Sequence, residues 1–393
     1  MSDEAVAVSP GRLRQMQIYL PGVGGTRPLV PVAPDTLEAK AAAAMGADAA
    51  AYIVGGAGME STMRANRAAF GRRRFVPRVL NDVSARDLSV DLFGRRHAVP
   101  VLLAPIGVLE MAHPGADLAV ARAAAAEGVG YVFSNQASVK METCAAAMGP
   151  APRWFQLYWS SDDAFVRSLL GRAEACGCEA VVVTLDTTLL GWRPRDLDRA
   201  SLPFLQGKGL AQYLSDPVFR AAIPAKPPET GMKPKGVGVV RTLLNLRRTG
   251  REFDLSIGEM RCAIAQFTAT YSRPDLNWSD ILRLRQMTSL PILLKGVRHA
   301  DDARLARECG VDGIVVSNHA DARSTAKSPR STRCPHAWRP QATCRCCSIR
   351  GSGRAPTSPR RWRSARAPSC SAGPMYTGSR SPARRACARS SAT

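Results

Sequence analysis

The chain has 393 residues, enough for one large α/β barrel or two average domains, with an ordinary 45% hydrophobic fraction and a formal net charge of +22. Taken whole, that charge suggests an anionic partner such as nucleic acid. Its placement leaves only about +7 over the first 319 residues, because residues 320–393 hold fifteen Arg, one Lys and a single acid, Asp321. Cysteine divides the same way, five scattered through the body without ligand spacing and six in the tail. With neither a basic, apolar leader nor a membrane-length apolar run, the expectation is a reduced, cytoplasmic protein without a membrane partner.

Residues 1–36 form an N-terminal extension. From Val99 to Asn318 short apolar runs alternate with helical patterns. Val101 to Ala104 is a strand, followed by an Ala-rich helix over Pro114 to Glu127 that stops at Gly128. Tyr131 to Phe133 is the second strand, with a short helix at Met141 to Met148, and Trp154 to Tyr158 is the third. Ser161-Asp162-Asp163 caps a helix that Gly177 ends, and Ala180 to Leu185 is the fourth strand. A helix at Ser279 to Gln286 precedes a fifth strand, Pro291 to Leu294. Another, opened by Asp301-Asp302 and stopped at Gly310, leads to a sixth, Gly313 to Val316. Strands apolar on both faces and separated by helices predict a parallel sheet covered on both sides. Six of them fit either a TIM barrel short of two strands or an open doubly wound sheet. The stretch over about 197–275, rich in Pro, Gly and basic residues, is expected to be a long lid loop.

Chemistry-bearing residues gather at the strand ends, and each has a bland reading beside the functional one. His319 fits a satisfied strand-end histidine, Lys295 a side chain snorkelling outward, Tyr52 core packing, and Arg193 and Arg195 surface charges flanking Pro194. Gly55-Gly56 alone would be a helix stop. Cys344, Cys346 and Cys347 with His336 do not make a metal site, and no metal is expected.

Eight motifs, taken together and in order, decide between these readings. They are A-Y-I-V-G-G-A-G around Tyr52, A-P-I-G at Ala104 to Gly107, Ser134, and F-Q-L-Y at Phe155 to Tyr158. T-L-D-T at Thr184 to Thr187, G-W-R-P-R-D at Gly191 to Asp196, L-K-G at Leu294 to Gly296 and S-N-H at Ser317 to His319 complete the set. In these the chain resembles the FMN-dependent α-hydroxy acid oxidases and dehydrogenases from about Leu37 to His319. G-W-R-P-R-D, Pro203-Phe204-Leu205, Asp216 to Phe219 and the long excursion are most like the lactate 2-monooxygenase branch.

The resemblance implies a TIM (β/α)8 barrel with its site at the C-terminal strand ends, FMN as cofactor, and a small 2-hydroxy acid such as lactate, with O2, as substrates. His319 would be the general base, and Asp186 would orient its imidazole. Arg193 would hold the substrate carboxylate, and Tyr52 and Tyr158 would hydrogen-bond the substrate. Lys295 would lie near the pyrimidine side of the flavin, and Pro105, Ile106, Gly107, Ser134, Gln156, Thr184 and Ser317 would line the cofactor. It also implies a homo-oligomer.

After S-N-H the family pattern continues into G-G-R-Q, then D-S-G-I-R and G-R-P on the last two strands, which hold the phosphate. Here Ala320-Asp321-Ala322-Arg323-Ser324 follows, and from there to Thr393 there is no Leu, Val or Phe and one Ile, Ile349. Such a segment cannot form strands or bury a helix face. A single-base slip explains it. The codons CAC GGC GGA CGC CAG GTC GAC GGC encode H-G-G-R-Q-V-D-G, and without one G they encode H-A-D-A-R-S-T-A, the sequence of His319 to Ala326. Codons for L-G-R-P-D-V-Y-G-L, shifted likewise, give Ser371 to Ser379. The expectation is therefore an incomplete barrel lacking strands seven and eight, impaired in activity, with residues 320–393 a frameshifted, disordered basic tail. The rivals from another class are a non-functional remnant and a nucleic-acid-binding protein using that Arg-rich tail, with Trp338, Trp362 and Tyr376 for stacking. A shadow reading frame disfavours the second.

Overall fold

The computed structural model describes residues 9–83, 86–226, 236 and 238–319. Four helices come first: α1 (Pro10–Val23), α2 (Pro34–Ala44), α3 (Ala47–Val54) and α4 (Ser61–Gly71). A hairpin of β1 (Val90–Leu92) and β2 (Arg95–His97) follows, turned by Phe93 at φ 50° and Gly94 at φ 81°. Two successive positive φ values suit the right-handed twist of a tight hairpin, and glycine adopts the second without strain.

The body alternates strand and helix: β3 (Leu102–Leu103), α5 (Ala116–Ala126), β4 (Gly130–Phe133), α6 (Met141–Met148), β5 (Arg153–Leu157), α7 (Asp163–Ala175) and β6 (Val181–Thr184). The excursion holds α8 (Pro194–Asp198), α9 (Ala211–Leu214), α10 (Pro217–Ala221), α11 (Gly238–Glu252) and α12 (Ile257–Thr270). Then come α13 (Trp278–Arg285), β7 (Ile292–Lys295), α14 (Ala300–Glu308) and β8 (Gly313–Val315). The strands β3-β4-β5-β6-β7-β8 pair in that order, every pair parallel, in a half-barrel sheet. Among the described residues β3 and β8 each pair on one side only. The residues on which the loss of strands seven and eight turns lie outside those described.

Alternation along the strands builds two cores. Phe133, Phe155, Val181, Val183, Ile292 and Leu294 join the larger cluster with the helices, whereas Val132, Trp154, Val182 and Leu293 form the smaller one. Successive side chains point to opposite faces, so a strand apolar at every position must be covered on both. Leu92 belongs to the smaller cluster, and Phe93 packs there with its ring 5.5 Å from that of Trp154. Fully burying each of these side chains contributes about 1.5–3 kcal/mol.

The excursion differs from the expected lid loop. Its Pro- and Lys-rich middle hides flanks with helical apolar spacing, and Leu214, Phe219, Met260 and Phe267 are buried in the larger core. Asp216 caps α10 by accepting from the amides of Val218 and Phe219, and Ser256 and Glu259 form a capping box on α12. The excursion is also tied to the loops after β3 and β4, Gly209 donating to Glu110 Oε1 and Ala211 to the Ala137 carbonyl, each at 3.1 Å. No described helix is long and apolar enough to cross a membrane.

Candidate active site at the strand ends

The parallel strands deliver Pro105–Gly107, Ser134, Gln156, Tyr158, Thr184, Asp186, Lys295, Ser317 and His319 at or just beyond their C-terminal ends. Chain direction alone does this, because every strand points the same way.

His319 and Asp186 meet across 133 residues of sequence, with His319 Nδ1 2.9 Å from Asp186 Oδ1. Lys295 Nζ lies 3.3 Å from the same nitrogen. The shorter contact, to an anionic acceptor, makes Nδ1 the donor and puts the basic lone pair on Nε2. Burial would raise the Asp186 carboxyl, but the hydrogen bond from His319 and the charges of Lys295 and His319 outweigh it and hold the group below the usual carboxylate range. His319 itself sits at φ 57°, its amide donating to Ser317 Oγ at 3.0 Å.

The β4 and β5 ends form one polar patch. Gln156 Oε1 accepts from the Asn135 amide at 3.1 Å, and Asn135 Oδ1 accepts from the Tyr158 amide at 3.1 Å. Ser134 Oγ accepts from the Gln136 amide, also at 3.1 Å. Yet Asn135 Nδ2, Gln156 Nε2 and Thr184 Oγ1 are buried and find no hydrogen-bond partner among the described residues. Unpaired buried polar atoms cost about 1–3 kcal/mol each and call for a ligand. Unsatisfied donors on adjacent strand ends, with the Lys295 amine beyond them, fit the polar edge of a planar isoalloxazine. Gly107 lies close enough to Gln136 that a Cβ there would stand 3.4 Å from Gln136 Cβ, which keeps this approach narrow.

Arg193 and Tyr52 also come together, the guanidinium lying 5.0 Å from the ring centroid. Arg193 is 7% exposed, pairs with Asp196 at 2.9 Å and donates to the carbonyls of Tyr52 and Gly55. It does not present an open fork here: the charge is turned to the end of α3. Two neighbours repeat the pattern, Arg195 pairing with Glu60 and Arg199 with Asp48, each at 2.6 Å. The segment after β6 thus stitches α3 and α4 down.

Sequence reasoning missed Asp196, Glu60 and Asn135. Asp196 lies inside G-W-R-P-R-D, three residues after Arg193 at the start of a helix, which is a readable signal.

The chain belongs to the FMN-dependent dehydrogenase family, whose profile matches residues 41–342. It is 39% identical over 268 residues to an L-lactate oxidase of Lysinibacillus sphaericus, covering 68% of this chain. It spans about 61% of the length of that relative. An FMN-dependent α-hydroxy acid dehydrogenase of Penicillium citrinum is 38% identical over 306 residues, 78% of this chain and 70% of that protein. Among solved structures, mandelate oxidase with (S)-4-hydroxymandelic acid superposes with a TM-score of 0.58 at 31% identity, covering 75% of this chain and 72% of that one. The family is FMN-dependent and its members are α-hydroxy acid oxidoreductases, so this chain is of an enzyme family with a flavin cofactor.

Proposed function

We propose that residues 37–319 are the greater part of an enzyme oxidising a small L-2-hydroxy acid, L-lactate before others, by the lactate 2-monooxygenase reaction. Lactate and O2 then give acetate, CO2 and water; an oxidase or dehydrogenase releasing the 2-oxo acid is the alternative. One observation carries the reading: a histidine oriented by a buried carboxylate, beside a lysine and unsatisfied polar groups, on the strand ends of a half-barrel.

When bound, FMN would supply a hydride acceptor for the substrate carbon and a route for the electrons to O2. Gln156, Thr184, Ser134, Ser317 and residues 105–107 would hold it, with Lys295 favouring negative charge on its pyrimidine side. His319 Nε2 takes the hydroxyl proton, and Asp186 stabilises the imidazolium that results. Arg193 and Tyr52, with Tyr158, bind the carboxylate and hydroxyl. For Arg193 this means exchanging its bonds to the Tyr52 and Gly55 carbonyls for the substrate. The excursion packed on the loops after β3 and β4 supports retention of the 2-oxo product, which favours the coupled outcome.

The tail from residue 320 is, on this reading, an out-of-frame remnant, and the chain as it stands is impaired. Product analysis after one G is restored to the codons following His319 tests the assignment. With catalase present, so that peroxide cannot decarboxylate pyruvate, acetate matching the lactate consumed supports it. Pyruvate without acetate under the same conditions would replace the monooxygenase by an oxidase or dehydrogenase. No flavin-dependent loss of any 2-hydroxy acid would remove the hydroxy acid reading altogether.

A further inference from the structure

We propose that Asn66 is a positioning residue for His319, acting through a reciprocal amide pair with Asn318; the proposal rests on the reading of His319 as the base. Asn66 Nδ2 donates to Asn318 Oδ1 at 3.0 Å, and Asn318 Nδ2 donates back to Asn66 Oδ1 at 2.7 Å. The two residues are 252 apart in sequence, one on α4 and one in the loop after β8. A closed pair of N–H···O bonds fixes distance and orientation together. A carboxylate in place of either amide only accepts, and could satisfy only one of them.

The position matters because the next residue is strained. His319 lies at φ 57°, a region that a β-substituted residue occupies only when its surroundings over-determine it. Among the contacts that do so here are the His319 amide to Ser317 Oγ, the imidazole to Asp186 and Lys295, and the clamp on Asn318. Of these only the clamp comes from the N-terminal helices rather than from a strand end or the loop after it. Helix α4 is itself anchored, since Glu60, just before it, pairs with Arg195 and accepts from the Gly56 amide at 3.0 Å. The element carrying Tyr52 and the loop carrying the base are therefore held by one connected set of contacts, and Asn66 is the joint between them.

The test reads individual histidines in the full chain, by the pH dependence of deuterium exchange at the imidazole C2–H measured by mass spectrometry, and needs no turnover. The expected result for Asn66→Ala is a change of about threefold or more in His319 exchange, or an equivalent shift of its pH midpoint. His97, His113 and His299 stay unmoved. Asn66→Asp, which can still accept from Asn318 Nδ2, gives a smaller change at the same residue. Unchanged His319 exchange in both variants overturns the proposal. Should the alanine variant shift all the histidines together, the aspartate variant decides: a change confined to His319 supports positioning, and no change or a general one overturns it. Failure of the hydroxy acid reading would appear in product analysis and leave this result standing.

Discussion

Asp186 lies so close over Gly296 that a Cβ at position 296 would stand 2.9 Å from Asp186 Cβ and 3.0 Å from its Cγ. Gly296 also sits at φ 110°, where other residues are strained. The third letter of L-K-G thus serves the carboxylate that orients His319. Gly296→Ala is expected to cost about 1–3 kcal/mol in strain and to push Asp186 off His319. Urea unfolding reads the first effect and His319 C2–H exchange the second. A variant with parental values in both would show that the backbone yields freely.

Asp117 offers a pH dependence. Burial raises its carboxyl from 3.8 to about 6, although the amides of Ser138 and Val139 and the Tyr131 hydroxyl all donate to it. With the folded value above the unfolded one, the folded chain keeps the proton over that interval. The stability this group contributes is therefore complete below about 4 and lost as pH rises through about 6. Unfolding of the parent and of Asp117→Asn at pH 4, 5, 6 and 7 should show the parent losing stability relative to the variant across the window. A constant difference would contradict it.

Arg193→Lys removes a planar donor set that an ammonium cannot replace. Because Arg193 donates to the carbonyls of Tyr52 and Gly55, faster amide exchange is expected over about residues 52–58, with a loss of about 1–3 kcal/mol. A purely substrate-binding arginine would leave that exchange alone.

Phe75, Val76, Val79 and Leu80, all largely exposed, and β3 and β8, each paired on one side only among the described residues, lead to a solubility prediction. A chain with this surface binds hydrophobic dyes and associates. Restoring the frame after His319 should make it monodisperse and yellow. A soluble protein with a flavin spectrum from the present frame would refute the reading of the tail.

The strands were legible because each had to be apolar on both faces, a pattern with few rivals: β4 to β8 fall within one residue of expectation at nearly every end. The excursion was misjudged because Pro and Lys at 224–235 dominate its composition, while the buried spacing of Tyr213, Phe219, Met260 and Phe267 decides its structure. The hairpin was passed over although Phe93-Gly94 marks it, since Arg95-Arg96-His97 does not look like a strand. At the candidate site, motif resemblance named His319 and Asp186, which the fold brings within 2.9 Å of each other. What Asn66 touches, and the Tyr52 and Gly55 carbonyls that Arg193 meets, belong to tertiary structure alone, because these partners lie over a hundred residues away.

In the sheet β6 and β7 are neighbours, bonded from Val181–Ile292 to Thr184–Lys295, yet the whole excursion separates them along the chain. A ribosome adding roughly 5–20 residues per second needs several seconds to make that stretch. Throughout that time the nascent β3–β6 fragment presents Thr184 and its strand as a bare template. Birth of this protein therefore includes an interval in which its safety depends on the helices of the excursion, or a chaperone, reaching that strand before another nascent chain does.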